Sequence, residues 1–431
     1  PAPTRGAAAD AAGAAADERR TDPEDGQMCT FLELKQKYTG TYSAEEIQGY
    51  WDFECKPAAA TSSGQADPAA ASAPAPAPAP RGKPPKAGKA LDVNETERWQ
   101  LGEAEALVAA VAARRVGLYA DKARVPPELK DVLLVTAANT GYMPFYDNWR
   151  CHAERLGLDW AVVANDDATY DALGPGRALP VIGKRVTSMV GWGNTKLDYV
   201  GRNKLYMLIL IMRVTGVSVL FTDADNMFLR DPFVPGVSLG DLLRAQKYDL
   251  VYQMEFGSRP KATYKKTHQG NLGNTGFFYV SPKKSSNNIQ DLFTAGMDAV
   301  DRALAEKGHG ADQNIFWAVF SDMMASRGLK SGPWGLSSGK RGFKCVHLCG
   351  KNPSCTASEQ DTIEYCGMDP YVHPTGWDDA DKYIDDIASY HANWAANEGK
   401  IVKLKRVGLW DTWDPRAARC RSPPWMEKKK K

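Results

Sequence analysis

No stretch of the 431-residue sequence stays apolar for long: the longest aliphatic run, LYMLILIM at 205–212, falls far short of the ~20 residues that span a bilayer. The chain as given reads as soluble, and any membrane contact is left to an anchoring segment ahead of Pro1. An excess of one charge is missing as well, since 54 Lys and Arg stand against 52 Asp and Glu. Nothing therefore points to nucleic acid or an acidic membrane as the main partner. Internal repeats are absent. Large apolar side chains are scarce in most of the first hundred residues, so a sizeable core has to be built after them.

What is present divides the chain into unequal parts. Residues 1–25, rich in Ala, Asp and Arg, read as disordered, and 26–56 is an aromatic-rich island bounded by Cys29 and Cys55, whose pairing would staple a short helical motif. Residues 57–94 are a Pro- and Ala-rich linker with too little to bury to offset the entropy of ordering. A stem helix is expected within 95–125, one large domain over 126–415, and a basic tail over 416–431 ending in KKKK, which reads as a local solubilising run.

The cysteine count is even, eight, and Cys345, Cys349, Cys355 and Cys366 crowd into a loop-like stretch rich in Gly, Pro, Asn and Ser. Such crowding favours disulfides and hence a Golgi or ER lumen. Zinc is the rival reading, but its usual closely spaced Cys pairs do not match these spacings. The sequon Asn94-Glu95-Thr96 agrees with a lumenal address.

From residue 131 onward strand-like and helix-like patterns alternate. DVLLVTAAN reads as a strand, MPFYDNWRCHAERLG as a helix and DWAVVAND as a strand; a helix over 196–214 and the strand VSVLFT at 217–222 follow. Further strands are expected in YDLVYQM and GFFYVSP, further helices in IQDLFTAGMDAVDRALAE and DQNIFWAVFSDMMAS, and an irregular stretch over 330–380. The alternation predicts an α/β fold with a mostly parallel sheet and helices on both faces, whose ligands gather at the carboxyl ends of the strands. Asp223 and Asp225 stand at such an end, in LFTDADNMFLRDPF. Carboxylates one residue apart can share a divalent cation whose other positions are filled by two phosphates, with Mg2+ and Mn2+ suited to the oxygen-rich shell. A polar strand-to-loop turn is the plain alternative.

Five motifs in one order, VTAANTGY, LFTDADNMFLRDPF, GNTGFFYV, ADQNIFW and HANWAANEGKIVKLKRVGLW, resemble the nucleotide-diphospho-sugar transferases of plant and algal cell walls, glycosyltransferase family 77. The likeness covers about 130–413. It implies a GT-A-type, Rossmann-like fold, a UDP-sugar donor, Mn2+ or Mg2+, and transfer with retention of configuration to a glycoprotein or wall glycan, with arabinose or galactose on a hydroxyproline-rich glycoprotein as the narrower expectation.

Carried over position by position, the resemblance makes Asp223, Ala224 and Asp225 the metal and diphosphate element, with His391 as third metal ligand. Thr136, Ala137 and Asn139 close the first strand where the uridine is expected, and Asp166 closes the second. Lys204, Lys400 and Lys403 are candidates for the diphosphate. Asn274 and Gly276 are candidates for the donor sugar, and Asp312 and Gln313 for the reacting centre, Asp312 being the first place to look for a nucleophile. Each has an ordinary structural alternative: a cap for Asp312, a tight turn for Asn274 and Gly276, a solvated face for the lysines. The Cys29–Cys55 island and the insertion at 345–366 depart from the family pattern and leave acceptor choice open.

Two rivals come from other classes. One is a glycan-binding protein on a transferase fold that no longer turns over, against which the intact Asp pair, His391 and DQN stand. The other is an Asp-nucleophile phosphatase of the haloacid dehalogenase type; there the motif usually sits on the first strand, whereas here other strands and helices precede it.

Overall fold

The computed structural model describes residues 18–21, 27–38, 47, 51, 56–57, 98–190, 194–255, 273–282, 288–307, 310–326, 346–347, 363–377, 379–393, 395 and 397–421. The chain forms two compact units, Pro1–Asn94 and Glu95–Lys431.

In the first unit β1 (Arg19–Thr21) pairs antiparallel with β2 (Met28–Thr30) and β3 (Lys56–Pro57), and α1 (Phe31–Tyr38) follows β2. Leu34, Tyr38, Ile47 and Trp51 make a small core, and the Arg20 guanidinium lies 5.0 Å from the Trp51 ring centroid. The expected Cys29–Cys55 bridge falls outside the described residues, which do not include Cys55.

The second unit is built on an eight-stranded sheet in the order β11, β12, β9, β10, β7, β4, β5, β6. These strands are β4 (Val132–Ala138), β5 (Ala161–Ala164), β6 (Ala178–Leu179), β7 (Ser218–Thr222), β9 (Leu250–Gln253), β10 (Asn274–Val280), β11 (Val346–His347) and β12 (Glu364–Gly367). β6, β5, β4 and β7 run parallel, as does β12 beside β9. β10 runs antiparallel to both β7 and β9.

Strand side chains alternate between two cores, as a sheet covered on both faces requires. Leu133, Val135, Val219, Phe221, Tyr252 and Phe278 join the face covered by α5 (Thr195–Thr215), α7 (Asn288–Lys307) and α8 (Asp312–Ser326). Val132, Leu134, Leu220, Val251, Phe277 and Tyr279 join the other, with Trp149 of α3 (Met143–Arg155) and Leu243 of α6 (Ser238–Arg244). The segment read from sequence as a stem is α2 (Leu101–Arg115), and its Val108, Val111 and Ala112 lie in the first of these cores. α5 starts at the Asn194 cap and stops at Gly216, whose φ of 65° is the left-handed conformation that glycine supplies without steric cost.

Two differences from the sequence pattern matter for the site. The stretch expected to be irregular contributes β12, too short for its alternation to register in the sequence. A second pair, β8 (Asn226–Phe228) with β13 (Ser389–His391), sets His391 opposite Asn226. Beyond Asp414 the chain is still ordered: β14 (Trp413–Asp414) pairs with β15 (Arg419–Cys420), and Cys420 is disulfide-bonded to Cys151 of α3 across 5.4 Å between Cα atoms. Cys366 is also disulfide-bonded, while Cys345, Cys349 and Cys355 lie outside the described residues.

Candidate active site

Antiparallel pairing puts the start of β10 against the end of β7: Phe277 faces Thr222, and the Asp223 amide donates to the Gly276 carbonyl at 2.6 Å. On the far side Asn274 faces Gln253, the last residue of β9, and the register shifts before Phe278 meets Tyr252. An irregularity of this kind re-aims side chains next to a site. β13 delivers His391 to the same place, and the Ala392 amide donates to the Asp225 carbonyl at 3.0 Å. Four strand ends thus converge on one point.

There, Asp223, Asp225 and His391 offer ligand atoms that all lie within 4.8 Å of one another. His391 Nε2 is 3.3 Å from Asp225 Oδ1 and 3.9 Å from Asp223 Oδ2. Asp225 and His391 are buried, whereas the Asp223 side chain keeps 38 % of its exposure and opens the cluster to solvent. Gly276 forms the wall: a Cβ there would sit 2.5 Å from His391 Cε1 and closer still to Asp223 Oδ2. Only a glycine leaves this space open.

Charge organises the cluster. Burial opposes ionisation of Asp225, but the Lys400 ammonium 2.8 Å from Oδ2 and the His391 ring outweigh it and hold its carboxyl well below the usual range. Burial pushes the Asp223 carboxyl up against the pull of Lys204, and the charge of Asp225 adds to the rise. Burial works against the His391 cation, and the two carboxylates, Asp225 first, raise it nonetheless. Two carboxylates and an imidazole around one gap suit a divalent cation, which would remove the repulsion between the acids. The residues present fit Mn2+ or Mg2+.

Around this centre the other sequence candidates take distinct places. Lys204 is buried in α5 and sits 2.6 Å from Asp312 Oδ2, also donating to the Thr275 carbonyl at 3.1 Å. Burial works against its charge, but Asp312 and Asp223 raise its pKa. Asp312 accepts as well from Thr275 Oγ1 at 3.0 Å, and Gln313 Oε1 accepts from the Thr275 amide at 3.2 Å. Asn274 Oδ1 accepts from the Gly276 amide, and its Nδ2 donates to Glu255 at 2.6 Å. Lys400 stands within 3.3 Å of the Tyr142 hydroxyl; Lys403 donates instead to the Gly376 and Asn393 carbonyls.

Thr136, Ala137 and Asn139 do end β4 as placed from sequence, and Thr136 is fully buried. Asn139 is a cap, accepting from the Tyr142 amide and donating to the Ser188 carbonyl. Asp166 engages both carboxylate oxygens internally: Oδ2 accepts from the Thr140 amide, and Oδ1 from the Thr140 hydroxyl and the Thr169 amide at the head of α4 (Asp167–Leu173). It latches the ends of β4 and β5. Ala224 is buried in the core between the two acids.

Sequence reasoning missed Gln253, Glu255, Tyr142, Thr275 and Asn393. Gln253 accepts at Oε1 from His391 Nδ1 at 2.8 Å, and the Asn393 amide donates to Glu255 at 2.8 Å. The available signal for Gln253 was a polar residue closing an apolar strand, and for Asn393 its place two residues after His391.

Residues 159–346, which hold the Asp pair, Asn274 and Asp312, match the family model described as nucleotide-diphospho-sugar transferase. The match covers less than half of the chain. The mostly parallel sheet with helices on both faces agrees with the α/β fold read from the sequence. Among solved structures the chain is similar to the glycosyltransferase GlyE of Streptococcus pneumoniae TIGR4 at 14 % identity and a TM-score of 0.34, covering 64 % of this chain and 59 % of that one. The apo form of GlyE matches at 13 % identity and a TM-score of 0.32, covering 67 % and 64 %. A glycosyltransferase involved in glycosylation of the major capsid of PBCV-1 matches at 9 % identity and a TM-score of 0.27, covering 63 % and 98 %. The chain thus spans less than two thirds of either GlyE structure. No curated protein matches the chain.

Proposed function

We propose that the protein is a glycosyltransferase that moves a sugar from a UDP-sugar, with Mn2+ or Mg2+ held by Asp223, Asp225 and His391, to a glycoprotein or cell-wall glycan in a Golgi or ER lumen. The observation that carries the reading is the meeting of these three side chains, from β7 and β13, in a gap kept open by Gly276. Retention of configuration and a hydroxyproline-rich acceptor receiving arabinose or galactose follow from the family 77 resemblance. Cys151–Cys420 and the bonded Cys366 support the lumenal address.

A bound divalent cation would neutralise charge on the diphosphate leaving group. The chain's own residues do the rest. Lys400, anchored on Asp225, supplies a second positive charge beside the diphosphate. Asn274, with its carbonyl oxygen fixed by the Gly276 amide, faces the donor sugar from the opposite strand. Thr275 carries Asp312 and Gln313 into the same wall, where the sugar's reacting carbon is expected. Front-side departure and attack, or passage through a carboxylate ester, use the same donor site.

Thermal shift of the purified chain against UDP, GDP and phosphate, each with Mn2+, Mg2+ or chelator, tests the reading. A rise that needs UDP with metal and disappears in Asp223→Ala supports it. No shift with any nucleotide under any metal would move the glycan-binding protein to the front.

A further inference from the structure

Gln253, at the end of β9, is fully buried, and both ends of its amide are engaged. Its Nε2 lies 3.1 Å from the His373 carbonyl and 3.1 Å from the Pro374 carbonyl. Carbonyls only accept, so the NH2 end of the amide must face them. The oxygen end is then the one turned to His391, 2.8 Å from Nδ1. An amide oxygen also only accepts, and the proton in that contact has to belong to Nδ1. This fixes one proton of the ring on Nδ1, so that in the neutral imidazole the lone pair belongs to Nε2, which faces Asp225 Oδ1 and Asp223 Oδ2.

The segment that orients Gln253 also holds His391. The Pro374 carbonyl accepts from the His391 amide at 3.2 Å, and the Gly376 amide donates to the His391 carbonyl at 2.7 Å. Backbone and ring of His391 are therefore set by one short strap. A ligating imidazole is commonly held in this way through its other nitrogen, which fixes ring orientation and raises basicity at the metal.

We infer that Gln253 is a positioning residue for the metal site, selecting the His391 tautomer whose Nε2 can ligate a divalent cation. The inference rests on the metal reading proposed above and adds to it a residue that touches neither donor nor metal. Changing Gln253 weakens cation binding itself, apart from any effect on turnover.

The test has two parts. In the wild-type chain loaded with Zn2+ as a diamagnetic stand-in, long-range 1H–15N correlation of the imidazoles, with His391 assigned by its loss in His391→Ala, reports the tautomer directly. The expected result is hydrogen on Nδ1; hydrogen on Nε2 overturns the inference, and this part needs no variant at Gln253 to fold. The second part titrates Mn2+ by electron paramagnetic resonance into wild type and Gln253→Met, which keeps chain length and removes the acceptor. Kd is expected to rise about ten- to hundred-fold. An unchanged Kd in a folded variant overturns the role of Gln253 while leaving the metal site standing. A wild-type chain that binds no Mn2+ overturns both, so the two failures are told apart.

Discussion

Lys204 and Asp312 form a buried ion pair, 2.6 Å from Nζ to Oδ2, that joins the middle of α5 to the head of α8 beside the Asp223–Asp225–His391 cluster. The close approach depends on Gly201, whose Cβ, if present, would lie 2.6 Å from Asp312 Cγ. Removing one partner leaves the other charge buried and unpaired, which costs about 3–5 kcal/mol. Lys204→Met and Asp312→Asn are each expected to destabilise strongly in urea unfolding, and the double variant to lose less than the sum. Additive losses would show that the pair is not coupled in the folded state.

Gly276 makes a sharper claim on the metal site. A methyl group at this position would press on Asp223, on His391 Cε1 at 2.5 Å and on Asn274 Oδ1 at 2.7 Å, so the ligand atoms must move apart. Gly276→Ala is expected to weaken Mn2+ at least about tenfold by calorimetry, since displaced ligands no longer share one cation. Equal affinity would mean that the cation sits elsewhere.

What could be read in the sequence was what lies along the chain. The α/β alternation shows because strands such as Leu133–Val135 and Val219–Phe221 are buried on both faces and therefore apolar throughout, and Asp223 and Asp225 show because a charged pair after such a strand breaks the pattern. Thr136 and Asn139 could be placed for the same reason, at the end of β4. The contacts of the site were not legible, because they depend on register: Gln253 meets His391 only once β9, β10 and β13 are side by side, across 138 positions of chain. Asp166 illustrates the converse. Its position at the end of β5 was readable, while the capture of both its oxygens by Thr140 and Thr169 depends on how two loops cross.

Acid should loosen the fold before most carboxylates titrate. Burial holds His152 and His373 down to about 3, helped by Arg155 and Arg230 respectively. In the unfolded chain a histidine titrates near pH 6.5, so between about 6.5 and 3 the unfolded state binds more protons. The stability these residues contribute is complete above about pH 6.5 and is lost as pH falls, at about 1.4 kcal/mol per pH unit for each. His391, raised by Asp225, has the opposite sign: its contribution is fully present below about pH 6.5 and lost as pH rises through its folded pKa, so it adds no slope below about pH 6.5. Urea midpoints measured in chelator at pH 7, 6 and 5 should fall steadily, and His373→Gln should flatten the slope. A midpoint constant over this range would show that both rings are already charged in the folded chain.

The Cys151–Cys420 disulfide ties α3 to the last described hairpin across 269 positions, so the closed loop contains nearly all of the sheet and the whole metal cluster. Cross-links over long loops act chiefly by restricting the unfolded chain, typically for about 2–4 kcal/mol. The paired variant Cys151→Ser with Cys420→Ser is therefore expected to lower the urea midpoint while leaving Mn2+ affinity near wild type, because neither cysteine touches the cluster. A peptide map without reductant, on protein recovered from its native compartment, checks the premise as well. A linked Cys151–Cys420 peptide agrees with the proposed lumenal address, since cytosolic glutathione and thioredoxin keep most thiols reduced. Free thiols at both positions would remove the main physical support for that address and leave the donor-site proposal untouched, because the four strand ends that build it converge without the bond.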